Sequence, residues 1–176
     1  MSEKEDTGTQ KVKPQEVPEE SWRMLQQLLG YSDEQLEAFR KHPKKSKGAA
    51  MLLTSDNMDW TMVFEVVHSH GCSNSLRVGD KLFFTASGLL DTRRSSPWCS
   101  LALSHTSVFT NIAHALGCQG INPHETYFDH VSCLDCGSEF GWGQVIMKIY
   151  WLKEPGADMK NRMAQEKHRE QAQKSV

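Results

Sequence analysis

Residues 60–70 read Trp-Thr-Met-Val-Phe-Glu-Val-Val-His-Ser-His, and this stretch decides the fold. Large apolar residues occupy every second position from 60 to 66. A period of two is that of a β-strand, in which successive side chains point to opposite faces. The stretch therefore predicts a strand with one buried face. The members of that face are Trp60, Met62, Phe64 and Val66, continued by His68 and His70.

Further elements follow on the C-terminal side of this strand. A second strand is predicted from Lys81 to Thr85, and alternation returns over residues 127–135 and 145–151. Between them, residues 98–116 have the period of a helix. Its predicted inward stripe consists of Leu101, His105, Val108, Ile112 and Leu116. This order predicts an α+β fold, with a small, mostly antiparallel sheet covered on one face by one central helix.

On the N-terminal side, three helices are predicted. The first starts near Pro18 and ends at Gly30, the second starts at a capping box formed by Ser32 and Gln35, and the third is capped by Ser46. The predicted organisation is a disordered tail at 1–16, a helical extension at 17–55 that forms an N-terminal cap, an α+β cysteine-containing domain at 56–155, and a helical or disordered tail at 157–176.

Composition excludes several classes of function. The chain has 176 residues, a net charge of −2 and five cysteines. Nothing in it suggests a basic surface for nucleic acid, and no apolar run approaches the roughly 20 residues that span a bilayer. The N-terminal residues 1–6 have no apolar core of the kind found in a signal peptide. We therefore expect a soluble cytoplasmic protein with reduced thiols.

Thiols and imidazoles lie at the turning points of the predicted fold. In a reducing cell, such a set indicates metal ligation or thiol chemistry more than cross-linking. His68 and His70 are separated by one residue on a strand, so they point to the same side, roughly 7 Å apart. Two such imidazoles can share one metal ion, and Cys72 just beyond the strand can join them. The alternative is a strand end where both histidines face solvent.

Cys99 follows Pro97-Trp98 at the predicted start of the central helix. The free N–H groups and the dipole at a helix N-terminus favour an anion, so a thiolate there suits a nucleophile or a metal ligand. The alternative is a buried cysteine that acts as a small apolar residue. His105, on the stripe of the same helix, is expected to be a core histidine bonded to backbone.

Cys133-Leu-Asp-Cys136-Gly137 resembles a zinc knuckle, in which a tight turn aims two sulfurs at one ion. The sequence has no second pair of this spacing, so a tetrahedral site must borrow Cys72, Cys99 or a histidine. The remaining cysteine, Cys118, follows a glycine at a helix end and is expected to be structural.

The block from Val66 to Phe84, with Gly71-Cys72 and Val78-Gly79-Asp80-Lys81-Leu82-Phe83, resembles a family of small, mostly bacterial and archaeal proteins of unknown function. In that family a cysteine precedes a Val-Gly-Asp turn, a second starts a helix and a third lies in a late strand, and Cys72, Cys99 and Cys133 fill those positions here. The resemblance covers residues 58–152, with an N-terminal extension as in longer members. Two features depart from it: proline precedes the helix-start cysteine rather than following it, and Cys136 is not in the shared pattern. The resemblance implies a compact α+β domain and three recurring cysteines, without a reaction.

Three hypotheses follow. In the first, the protein is a metal-binding domain in which zinc or iron is held by Cys72, Cys99 and Cys133, completed by Cys136, His70 or His68. Three protein ligands would leave a position open for a small-molecule ligand or substrate. In the second, Cys99 is the catalytic nucleophile or redox thiol of a metal-free enzyme or ligand-binding protein, with a histidine at 68, 70 or 105 as base. In the third, the chain is an accessory subunit that docks on a protein partner. Oligomeric state is not predicted, and neither nucleic acid nor a membrane is an expected partner.

Overall fold

The computed structural model describes residues 17–54, 56–122, 124, 128–157, 171 and 173. The tail predicted at 1–16 lies outside the described residues, as does most of the tail predicted at 157–176. The elements in chain order are α1 (Glu19–Leu29), α2 (Asp33–Lys41), α3 (Pro43–Thr54), a short 3₁₀ turn (Asp56–Asp59), β1 (Trp60–His70), β2 (Lys81–Thr85), α4 (Ser100–Cys118), β3 (His130–Ser132) and β4 (Gln144–Lys153). None of the helices within these described ranges is both long and apolar enough to cross a membrane.

The four strands form one antiparallel sheet in the order β2-β1-β4-β3, which confirms the predicted α+β class. Met62, Phe64 and Val66 of β1 lie on the face that packs against α4. Phe64 is fully buried at the centre of this core and meets Phe84 of β2 edge to face, with ring centroids 5.6 Å apart. β3 is shorter than the stretch predicted at 127–135, of which residue 127 lies outside the described residues.

A β-bulge near the end of β1 changes which face the two histidines occupy. Val66 pairs with Met147, but the next paired residue is His68, opposite Ile146, so Val67 has no partner across the strands. One inserted residue reverses the phase of the alternation. His68 and His70 therefore face away from the core and are exposed, rather than continuing the buried face as predicted.

The face of α4 that packs on the sheet also differs from the prediction. Its buried residues are small, namely Ala102, Thr106, Thr110 and Gly117. Three members of the predicted inward stripe, Leu101, Val108 and Ile112, are exposed instead. Small side chains let the helix approach the sheet closely, and the hydroxyls of Thr106 and Thr110 are satisfied by carbonyls one turn back along the helix.

This packing predicts a large loss of stability for one substitution in α4 and almost no change for a substitution at the neighbouring position. Ala102→Leu inserts three carbons into a site with no exposed surface, and we expect a loss of about 1–3 kcal/mol in the free energy of unfolding. Leu101→Ala, on the exposed side, should stay within about 0.5 kcal/mol of wild type. Urea unfolding of both variants measures the difference. If Leu101→Ala proved the more damaging, the observed helix face would be wrong.

The N-terminal helices begin and end largely where the sequence predicts. Gly30 ends α1 in the left-handed conformation at φ 67°, and Ser32 and Gln35 form both arms of the capping box of α2. α3 begins at Pro43 rather than after Ser46, because proline is well tolerated in the first turn of a helix. Met51 of α3 is buried. The boundary between an extension at 17–55 and a domain at 56–155 stays a prediction.

Candidate functional site: a pocket lined by three cysteines

Cys72, Cys99 and Cys133, which are far apart in the sequence, line one small pocket at the edge of the core; we call it the thiol pocket. Its volume is about 10 Å³, which is room for about one water molecule or one ion. The other residues of its wall are Ser73, Asn74, Leu101, Asp135, Gly143, Gln144 and Val145. The size of the pocket matches a single atom rather than an organic ligand.

Cys72 reaches the pocket from the end of β1. Gly71, directly before it, has a φ of 64°, a left-handed conformation that L side chains rarely adopt. This turn carries the chain out of the strand and back towards the sheet, where Cys72 is half-buried against the core. The glycine of the Gly-Cys pair therefore positions the thiol.

Cys99 is the N-cap residue of α4, a helix of 19 residues. Its backbone is extended, its carbonyl accepts the N–H of Leu103, and no side chain caps this end of the helix. The half-buried Sγ thus lies where the helix dipole and unpaired N–H groups stabilise negative charge. The position predicted from the sequence is the one observed, displaced by a single residue from the helix start.

Cys133 directly follows β3 and is the most buried of the three thiols, with 7% of its surface exposed. Its Sγ accepts the backbone N–H of Val145 at 3.3 Å, and its own N–H donates to the Val145 carbonyl at 2.9 Å. This N–H donor holds the sulfur in the pocket wall, and sulfur in the thiolate form is what binds metals. Cys133 is therefore the best-supported ligand position in the pocket.

Asp135 is a wall residue that sequence reasoning did not assign to the site. Its two carboxylate oxygens accept the N–H groups of Trp142 and Gly143 at 3.0 and 3.2 Å, which closes the loop between β3 and β4. Among the described residues that line the pocket, none has a basic side chain, so the only full charge in the wall is negative. The sequence signal that could have identified Asp135 is its position between the two cysteines of the Cys-x-x-Cys motif.

The other predicted site residues lie elsewhere. His68 and His70 are exposed on the outer face of the sheet, and Cys136 is exposed with its Sγ directed at the Leu134 carbonyl, 3.8 Å away. None of these three lines the thiol pocket, so the two sulfurs of the predicted knuckle do not point to one place.

His105 and Cys118 have the structural roles that were expected of them. Nδ1 of His105 lies 2.6 Å from the Ser132 carbonyl oxygen, as expected for a core histidine bonded to backbone. Burial raises the pKa of the Cys118 thiol, which therefore stays protonated, as suits a structural cysteine. No histidine among the described residues lines the pocket as a base for Cys99.

The side chains as placed do not form a complete coordination sphere. Within the described part of the chain, no three His, Cys, Asp or Glu side chains are arranged to hold one metal ion. The three thiols nonetheless share one pocket, and a change of χ1 is the smallest movement that redirects a cysteine sulfur. The arrangement supplies three sulfur donors and one carboxylate, and no histidine is among the described residues of the wall.

Large apolar side chains are exposed in the segments that carry the three cysteines. Trp98 precedes Cys99 and is 54% exposed, while Phe140 and Trp142 in the loop closed by Asp135 are 79% and 80% exposed. Leu101 and Leu134 are linked by a backbone hydrogen bond and are exposed as well. An apolar surface therefore adjoins the thiol pocket.

Comparison of the chain with protein-family models, with curated proteins and with solved structures gives no match. The resemblance to the bacterial and archaeal family with three recurring cysteines therefore stays a prediction.

Proposed function

We propose that this protein binds one thiophilic metal ion, zinc or iron, through the thiolates of Cys72, Cys99 and Cys133. The observation that carries the proposal is that three cysteines from three separate segments line one pocket of single-ion size. Thiolate sulfur is a preferred ligand of zinc and of iron. Cys99 lies at the uncapped start of α4, and the sulfur of Cys133 is held by the N–H of Val145, so both thiols have fixed positions in the wall.

Three protein ligands leave one position of a tetrahedral site open to water or to a small ligand. His68, His70 and Cys136 do not line the pocket, so the proposed site differs from the closed, four-ligand alternative. Asp135 adds negative charge at the wall while its oxygens hold the neighbouring loop. The proposal includes a cytoplasmic location, supported by the presence of five free cysteines.

Metal analysis of the full chain, purified without oxygen, tests the proposal. We expect about one zinc or iron ion per chain in the wild type, and below roughly 0.2 in Cys99→Ser and in Cys133→Ser, because a serine hydroxyl is a poor ligand for either metal. Cys136→Ser is the matched control and should keep the full content. A wild-type content below roughly 0.2 would remove the proposal.

A second candidate function, that of an accessory subunit, is favoured by the exposed apolar surface beside the pocket. If this candidate is right, size-exclusion chromatography of a native extract should give the chain an apparent mass above that of one chain. Replacing Trp142 by serine would return it to the mass of the free chain without changing its metal content. The catalytic alternative for Cys99 has less support, since the pocket wall offers it no histidine.

A further inference from the structure

A second cavity lies at the opposite end of β1 from the thiol pocket and has a volume of about 490 Å³. Its wall combines paired threonines of β1 and β2 (Thr61 and Thr85), the loop after β2 (Asp91, Arg93 and Arg94) and the residue that follows β4 (Glu154). Pockets of roughly 300–1,000 Å³ are typical of small-molecule sites. The volume of this cavity lies within that range.

The wall contains polar groups that are buried at a cost. Thr61 is 2% exposed, and its Oγ1 has no hydrogen-bond partner among the described residues. Asp91 is 5% exposed and lies at the same wall. Buried hydroxyls and carboxylates are normally fully hydrogen-bonded, and an exception beside a cavity indicates a partner that the cavity supplies.

The charges of the wall are balanced. Nη1 and Nη2 of Arg94 donate to the two carboxylate oxygens of Glu154 at 2.8 and 3.0 Å, so this pair is closed. Arg93 donates to Asp91 through Nε and Nη2, both at 3.3 Å, and its side chain is half-exposed. Arg93 and Asp91 thus form a two-point pair next to the cavity, with longer contacts than those between Arg94 and Glu154. A ligand with a single charge would be attracted by one member of the pair and repelled by the other. A zwitterion carries both charges and can complement both members.

We propose that this cavity binds a small zwitterion of the α-amino-acid class, with its carboxylate on Arg93 and its ammonium group on Asp91. Nε and one N–H of Nη2 in Arg93 donate to Asp91, and the remaining N–H groups of Nη1 and Nη2 offer paired donors that suit a carboxylate. Asp91 keeps acceptor capacity after its contacts with Arg93, and Thr61 lies at the same wall. The proposal does not depend on the thiol pocket or on a metal.

Thermal unfolding and calorimetric titration of the full chain with individual proteinogenic L-amino acids test this proposal. At saturation, a bound amino acid should raise Tm by about 3–10 °C. Each amino acid that binds is compared with its deaminated acid and its decarboxylated amine, and both should bind at least about tenfold more weakly because each lacks one charge. The proposal fails if no amino acid binds, or if either analogue binds as well as the parent.

Variants separate this site from a structural role of the same residues. Asp91→Asn keeps an oxygen for the N–H of Arg93, and Arg93→Gln changes a half-exposed side chain, so both should fold and lose at least about tenfold in affinity. Arg23→Gln, in α1, is the matched control and should bind as wild type does. Retained affinity in both Asp91→Asn and Arg93→Gln would overturn the proposal.

The two threonines provide an internal comparison. Thr61→Val removes a hydroxyl that has no partner among the described residues, so it should raise the Tm of the ligand-free chain by a few degrees and weaken amino-acid binding. Thr85→Val removes the acceptor of the Leu89 N–H and should lower Tm. A lower Tm in Thr61→Val would show that its hydroxyl is already satisfied and would count against the site.

Discussion

Replacing Gly143 by alanine should lower the free energy of unfolding by about 3 kcal/mol or more, the largest effect we expect from adding one methyl group to this chain. Gly143 is buried in the wall of the thiol pocket, where the loop between β3 and β4 crosses the end of β1. A Cβ at this position would overlap the carbonyl oxygen of His70 and the backbone of Gly71. These atoms belong to the backbone and cannot rotate away, so the two chain segments would have to separate.

Gly48→Ala in α3 is the matched control for this substitution. A Cβ there would make an ordinary contact of 3.7 Å with Cβ of Cys118, and alanine is the better helix former by up to about 1 kcal/mol. We therefore expect Gly48→Ala to be neutral or stabilising. In a chain of this length, the predicted loss for Gly143→Ala corresponds to a fall in Tm of about 6–12 °C. Equal Tm values for the two variants would show that the loop and the strand end do not cross as described.

The close crossing at Gly143 also explains why the thiol pocket exists. It brings the segment with Cys72 against the loop that follows Cys133, and Asp135 fixes that loop from the other side. If the proposed metal binds, Gly143→Ala should lose metal content together with stability, whereas a substitution that destabilises the fold elsewhere should lose only stability. The backbone contact at Gly143 therefore brings the walls of the pocket together, and the thiols occupy the space that this contact creates.

The sequence predicts the strand β1 well because its period-two pattern is long, but it does not predict the bulge within it. Val66 and Val67 are both apolar, so either can continue the buried face, and only pairing with β4 determines that Val67 is left out. The two histidines that follow take the opposite face as a result. The inserted residue therefore places His68 and His70 on the face opposite to the one that the alternation predicts.

α4 illustrates a second limit of sequence reasoning. A stripe of large apolar residues is the usual signal of a buried helix face, but here the fully buried positions that face the sheet are the small side chains of Ala102, Thr106 and Thr110, with Leu103 and Phe109 only partly buried beside them. Threonine and alanine side chains are only weakly hydrophobic, so their spacing of four residues does not stand out as a buried face. The position of Cys99 was predictable nonetheless, because it depends on where the helix starts and not on which face is buried.

Chelation provides the second large expected effect. If metal binds the folded chain alone, removing it should lower the Tm of the wild type by about 8–16 °C, provided the free metal is near 1,000 times its dissociation constant. The unfolded chain cannot hold the ion equally well, because Cys72, Cys99 and Cys133 come from segments that meet only in the fold. Calorimetry of the anaerobic protein, with and without a strong chelator, measures the difference.

The variant Cys133→Ser distinguishes a loss of Tm caused by metal removal from a nonspecific effect of the chelator. Serine retains an acceptor for the N–H of Val145 and nearly the same volume, so the variant should fold but should show the same Tm with and without chelator. Cys118→Ser and Cys136→Ser change thiols outside the pocket and should respond as the wild type does. If chelator leaves the wild-type Tm unchanged, or lowers that of Cys133→Ser equally, the three thiols do not hold a metal. Their meeting in one pocket would then be a consequence of core packing alone.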